Sequence, residues 1–253
     1  MSEVAGRVLD LLDQAITAGK PLGMLDLAAR SGLDKSTASR MLRFLVERQY
    51  LVRSPDTQRY DVGPVFLSLA ASAMKQSQLN VVAHRHLESL RDETGETACL
   101  HLRVGTERIC MYGVESAQDI RSAITPSERR PLYQGASGKA ILAFLAEDAI
   151  RPVLRQARGA GVDVPALARE LEGVRRQNAS CEVSSRVPGL AALAVPVFGA
   201  QGVVASITIS GPVARWGLKR MRSFAGVAAE ASRAISLALG GAIPRGSPET
   251  ARQ

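Results

Sequence analysis

The stretch from Leu22 to Glu47 constrains this chain more than any other. Leu25, Leu27, Ala28 and Ala29 space a short helix over Leu22–Arg30. Ser31-Gly32-Leu33-Asp34 reads as a turn, with Gly32 supplying a permissive backbone and Asp34 a cap for the next helix. That helix starts at Lys35 and runs to about Gln49, with Ala38, Met41, Leu42, Leu45 and Val46 on one face. An amphipathic segment over Val4–Thr17 precedes the pair and is stopped by Gly19-Lys20-Pro21. Two β-like runs follow, Tyr50–Arg53 and Arg59–Val62, joined by the turn Ser54-Pro55-Asp56-Thr57. Helices, tight turn and hairpin in this order predict a winged helix-turn-helix.

Such a module suits DNA, because the major groove admits one α-helix whose early polar residues reach base edges. Lys35, Ser36, Thr37 and Arg40 lie in the first turns of the second helix. Thr37 is placed to touch base or phosphate and Arg40 guanine or phosphate, while Arg43 sits further along and suits phosphate. On the wing, Gln58 and Arg59 are candidates for the adjacent minor groove or its phosphates.

Charge supports this only locally. The chain carries +8 overall, yet residues 1–62 hold nine Lys/Arg and eight Asp/Glu, a balance of +1. Lys35 to Arg59 holds six Lys/Arg against Glu47 and Asp56, or +4. The near-neutral first domain leaves an alternative open: a metabolite-binding protein or enzyme that uses the helix-turn-helix only for protein contacts. Three cysteines, Cys99, Cys110 and Cys181, without metal-like spacing, argue for a reducing compartment rather than a disulfide framework. No run approaches about 18 apolar residues, and the first twenty residues carry acids, so a membrane span and a leader peptide are not expected. The expected location is the cytoplasm.

Gly63-Pro64 opens a further helix over Val65–Gln76, and the pattern then changes. Helices are expected over Val82–Thr94, Ser137–Leu145, Asp148–Gln156, Pro165–Arg176 and Leu218–Leu239. Thr97–Val104 and Ile109–Val114 form a hairpin across Gly105-Thr106-Glu107. Leu190–Phe198 and Val203–Ile209 are joined by Gly199-Ala200-Gln201-Gly202, short enough for an antiparallel pair. The mixture indicates an α+β fold with an antiparallel sheet.

Leu25-Asp-Leu-Ala-Ala-Arg-Ser-Gly-Leu-Asp-Lys-Ser-Thr-Ala-Ser-Arg-Met-Leu resembles the helix-turn-helix of IclR-type bacterial regulators. Tyr60-Asp-Val-Gly is similar to that family's exit from the wing. Glu96-Thr97-Ala98, Pro131-Leu-Tyr-Gln-Gly-Ala-Ser-Gly-Lys-Ala-Ile-Leu-Ala and Ser206-Ile-Thr-Ile-Ser-Gly-Pro resemble landmarks of its effector domain, in order. The resemblance spans about residues 5–240. It implies a winged helix-turn-helix over 1–63, a linker helix over 64–78, a GAF-like effector-binding domain over 79–242 and a flexible tail over 243–253.

The resemblance also implies homodimers or tetramers on a palindromic double-stranded DNA operator, and a small-molecule effector such as a carboxylate or aromatic metabolite. Repression is the expected sign, although activation occurs on the same architecture. Family pocket positions fall on Ala136 and Ser137, on Glu182, on Leu190 and Ala192, and on Thr208 and Ser210. Ser137 opens a helix whose free N–H groups favour an anion, and Thr208 and Ser210 share one face of a strand. Glu182 would repel an anion unless turned away or protonated.

No catalytic constellation or cofactor is expected. Gly135-Ala-Ser-Gly-Lys139-Ala140 lacks the spacer and the magnesium-binding hydroxyl of a phosphate loop. His84 and His86, two apart on a helix, are poorly spaced to share a metal, and His101 lies elsewhere. Cys99 and Cys110 sit on neighbouring expected strands, where the simpler reading is small core residues rather than a redox pair.

Overall fold

The computed structural model describes residues 2–241, and the chain divides between Ser77 and Gln78 into two compact units. The tail expected over 243–253 lies outside the described residues.

The first unit holds α1 (Ser2–Thr17), α2 (Met24–Arg30), α3 (Lys35–Glu47), β1 (Leu51–Arg53), β2 (Tyr60–Val62) and α4 (Pro64–Gln76). Its core joins Leu11 and Leu12 of α1, Leu27 of α2, Met41, Leu42 and Leu45 of α3, and Leu51 and Tyr60 of the wing. The turn between α2 and α3 closes through the Leu33 N–H, which donates to the Ala28 carbonyl at 2.9 Å, with Gly32 at φ +63°. That left-handed backbone is strained for a side chain and costs glycine little. The wing is braced by paired hydrogen bonds between Tyr60 and Leu22 at 2.8 and 3.1 Å. The α4 helix starts one residue earlier than its apolar pattern, because Pro64 fills a first-turn position that needs no N–H donor.

The second unit opens with α5 (Gln78–Thr94), which begins four residues before the apolar pattern does. A six-stranded sheet follows, antiparallel throughout, in the order β5-β4-β3-β8-β7-β6. Its strands are β3 (Thr97–Val104), β4 (Glu107–Val114), β5 (Arg129–Pro131), β6 (Ser180–Val183), β7 (Leu190–Gly199) and β8 (Gly202–Pro212). The expected hairpins are β3–β4 and β7–β8, the first through a tighter turn than expected, since β4 begins at Glu107. Sequence reading missed β5 and β6. They are the two edges, three and four residues long and rich in charged or polar side chains, so they carry no apolar alternation.

Alternation assigns the two sheet faces. Ala98 and Leu100 of β3, Leu193 and Val195 of β7, and Ile207 and Ile209 of β8 pack with α5 and α9 (Leu218–Ala238). The opposite face carries smaller and more polar residues and is covered in part by α6 (Gly135–Leu142). Beside it, α7 (Glu147–Gly159) and α8 (Val164–Gln177) build a satellite core around Ile141, Leu142, Val153, Leu167 and Leu171. Asn178 ends α8 in the left-handed conformation at φ +50°, which asparagine tolerates.

Leu42 is fully buried at the centre of the helix-turn-helix. Leu42→Ala should destabilise the first unit by about 2–5 kcal/mol through lost contacts and a residual cavity. Urea unfolding followed by circular dichroism is the check.

Candidate DNA-reading surface and ligand cavity

The N-terminus of α3 is fixed by Asp34. Its Oδ1 accepts the Thr37 N–H at 2.9 Å and the Ser36 hydroxyl at 2.7 Å. The Ser36 hydroxyl, followed by the Thr37 N–H, holds the Asp34 carboxyl well below the usual carboxylate range. Ser36, expected as a base or phosphate contact, therefore has its hydroxyl engaged in the cap.

Residues four and then three apart share a helical face, which places Ser36, Arg40 and Arg43 on one stripe of α3. The buried Ala38, Met41, Leu42 and Leu45 lie opposite. Lys35, Arg40 and Arg43 are exposed, and none has an ion pair or hydrogen bond through its side chain among the described residues. The other basic residues of the +4 segment stand differently. Arg48 stacks over Phe44 at 5.1 Å and Arg53 over Tyr60 at 5.6 Å. On the wing, Gln58 Nε2 donates to the Pro55 carbonyl at 2.5 Å and Arg59 Nη1 to the Pro21 carbonyl at 3.1 Å. Both expected wing contacts thus brace the wing itself.

In the second unit, the seven expected effector residues line one cavity of about 110 Å³. Ala136 and Ser137 come from the first turn of α6, Glu182 from β6, Leu190 and Ala192 from β7, and Thr208 and Ser210 from β8. Strand register explains the convergence: Glu182 pairs with Ala192, Ala192 with Ser210, and Thr208 with Cys99. Small residues let α6 approach this face, where Ala136 and Ala140 pack on Ala194. A Cβ at Gly138 would stand 2.5 Å from the Leu132 carbonyl oxygen, so this glycine of the Gly-Ala-Ser-Gly run serves close packing. The Ser206 hydroxyl ties β8 to α6 through the Ser137 carbonyl at 3.1 Å.

Glu182 is compensated in place by the Lys139 ammonium, 2.6 Å away. Lys139 also meets Glu170 at 2.6 Å. Its pKa is raised despite burial, which acts first and in the opposite direction, because both carboxylates attract its charge. The expected repulsion of an anion by Glu182 is accordingly weakened by an internal ion pair.

Sequence reading did not place five other cavity residues there: Cys99 and His101 of β3, Arg108 and Cys110 of β4, and Arg186 of the loop before β7. The signal lay in β4, where Arg108 and Cys110 are two apart and so share a face. His101 is buried, with Nδ1 3.2 Å from the Thr208 hydroxyl, and burial lowers its pKa. His84 and His86 belong to α5, and His84 meets Glu88 at 3.5 Å. The thiols of Cys99 and Cys110 share a hydrogen bond. That bond pulls the Cys110 pKa below the ordinary thiol range, against the effect of burial, and His101 and Arg108 add to the lowering. Cys99 is pushed up by the same bond and by burial.

Both units match known protein families. Residues 4–55 match the IclR helix-turn-helix domain, and residues 71–237 match the bacterial transcriptional regulator IclR C-terminal domain. The chain belongs to the IclR family. Like other IclR members, it is a transcriptional regulator with a DNA-binding and an effector-binding domain. It is 29% identical over 240 residues to the HTH-type transcriptional regulator BhcR of Paracoccus denitrificans (strain Pd 1222), covering 92% of this chain and 86% of that one. It is 26% identical over 241 residues to the HTH-type transcriptional repressor AllR of Escherichia coli (strain K12), covering 92% and 89%. The IclR homolog from Microbacterium hydrocarbonoxydans, solved with 4-hydroxybenzoate, shares the fold at a TM-score of 0.79 and 21% identity, covering 94% and 99%.

Thiolate is the form that reacts with alkylating agents. Cys110 should therefore be alkylated by iodoacetamide with a pH midpoint below that of a free thiol, rising once Cys99→Ala removes the hydrogen bond. Mass spectrometry of the Cys110 peptide across a pH series measures both midpoints.

Proposed function

We propose that this regulator is a ligand-controlled repressor that binds a palindromic operator as a dimer and is governed by a small carboxylate. The observation that carries this reading is the cavity in the unit that follows the helix-turn-helix. It gathers residues from β3, β4, β6, β7, β8 and the first turn of α6, an arrangement that suits a bound metabolite. The first turn of α6 has no side-chain cap, leaving N–H groups for an anion. The name of the relative AllR and the 4-hydroxybenzoate held by the Microbacterium homolog support repression and an acidic effector.

On the DNA side, Lys35, Arg40 and Arg43 meet phosphate and base edges from the exposed face of α3, with Thr37 beside them. Ser36, Gln58 and Arg59 contribute by holding the helix start and the wing in shape. One nearly neutral module offers few phosphate contacts, so a second copy on the other half-site supplies the remaining affinity. Leu67 and Leu69 of α4 are exposed and give that copy apolar surface to cover. Effector binding then favours one arrangement of the paired DNA units, and by linkage operator binding changes effector affinity by the same factor.

Gel shifts on the promoter regions flanking its own gene test the reading. Arg40→Ala with Arg43→Ala should weaken binding about tenfold or more and reduce the slope of log affinity against log salt by about 2. Unchanged affinity and slope would remove α3 as the reading helix.

A further inference from the structure

Arg108 is a buried charged side chain of the cavity whose hydrogen-bonding capacity the fold leaves partly unused. It is 3% exposed, and among the described residues its Nε and Nη1 have no hydrogen-bond partner. A buried guanidinium without acceptors is costly, and a structural arginine is normally paired. The nearby anionic groups do not hydrogen-bond it: Cys110, two residues along β4 in the same cavity, attracts it through space, and the carboxylates face other cations. Glu128, which attracts Arg108 at longer range, is held by Arg130 through bonds of 3.0 and 2.6 Å. Glu182 is held by Lys139 at 2.6 Å. Arg186, exposed on the cavity rim, adds a second positive charge. Seen from Gly135, where α6 begins, a Cβ would stand 4.0 Å from both Arg108 Nη2 and Arg186 Cδ. The guanidinium, the rim arginine and the uncapped helix start therefore converge on one spot.

We propose that Arg108 is the specificity-determining residue of this cavity, taking the carboxylate of the effector between its guanidinium and the first turn of α6. This rests on the effector reading above and assigns the charge recognition to a strand residue outside the expected pocket positions. A planar carboxylate matches a planar guanidinium, which fixes its orientation as a lysine would not. The cavity volume is of the order of the roughly 150 Å³ that holds one benzene, so the ligand is a small acid. Its remaining atoms face Leu190 and Ala192 on one side and the polar row of Thr208, Ser210 and His101 on the other. Binding supplies acceptors to the two guanidinium nitrogens that lack them among the described residues, so ligand and sheet stabilise each other.

The test uses the full chain and thermal melting with acetate, lactate and benzoate, with acetamide, lactamide and benzamide as uncharged counterparts and inorganic phosphate as a second anion. In the wild type at least one carboxylate should raise the melting temperature, while its amide and phosphate do not. Arg108→Met should melt at or above the unliganded wild type, because it removes an unpaired buried charge. It should also weaken that carboxylate by roughly tenfold to a hundredfold, the worth of a charge-assisted bond. Arg108→Lys should keep part of the response. Equal response to acid and amide, a response to phosphate alone, no response to any carboxylate, or an Arg108→Met protein that binds the acid undiminished would each overturn the proposal. The broader effector reading fails separately, if no small metabolite of any charge alters operator binding in the gel shift.

Discussion

Period-two alternation along β3, β7 and β8 is the constraint on which the effector unit depends. Every second residue is a branched or small apolar side chain that packs with α5 and α9. Around the cavity the intervening residues are Thr97, Cys99 and His101 on β3, Leu190, Ala192 and Ala194 on β7, and Ser206, Thr208 and Ser210 on β8, while Phe198 at the far end of β7 joins the satellite core. Most of the residues around the cavity are small or polar, so this part of the second face does not close by side-chain packing alone. The α6 helix closes part of it through alanine contacts, and the remaining gap is the cavity. A one-residue slip of β8 would turn Thr208 and Ser210 into the apolar core and Ile207 and Ile209 into the cavity, so core stability and site chemistry hold the same register.

The DNA-binding unit solves a different problem with a similar economy of charge. Its balance is close to neutral, and several basic residues are engaged internally: Arg59 on the Pro21 carbonyl, Arg48 and Arg53 on aromatic rings, Arg30 on Gln14. What remains for an external polyanion is concentrated on α3, opposite the face that Leu42 anchors in the core. Position on a rigid helix, rather than total charge, makes this surface suited to a groove.

Much of this was legible in the residues. The turn at Gly32, the cap at Asp34 and the apolar face of α3 are local features with local causes, and they predict the helix-turn-helix within a residue or two. The β7–β8 hairpin followed from a four-residue join between two apolar runs. The edge strands β5 and β6 were not legible, because strands that must resist further pairing are short and polar and look like loops. Gln58 and Arg59 looked like free polar contacts, since nothing in the sequence marks the Pro55 and Pro21 carbonyls as their acceptors.

The sequence by itself determined the periodicities, the turn chemistry and the family resemblance, and through them the order of the elements other than β5 and β6 and seven of the residues that line the cavity. Only the tertiary structure decided which charges were already spent. Pairing of Glu182 with Lys139, and the lack of an acceptor for two nitrogens of Arg108 among the described residues, depend on side chains brought together from distant elements. Local pattern fixes which way a residue faces along its own strand or helix. What it faces is set by the packing of other elements across the sheet.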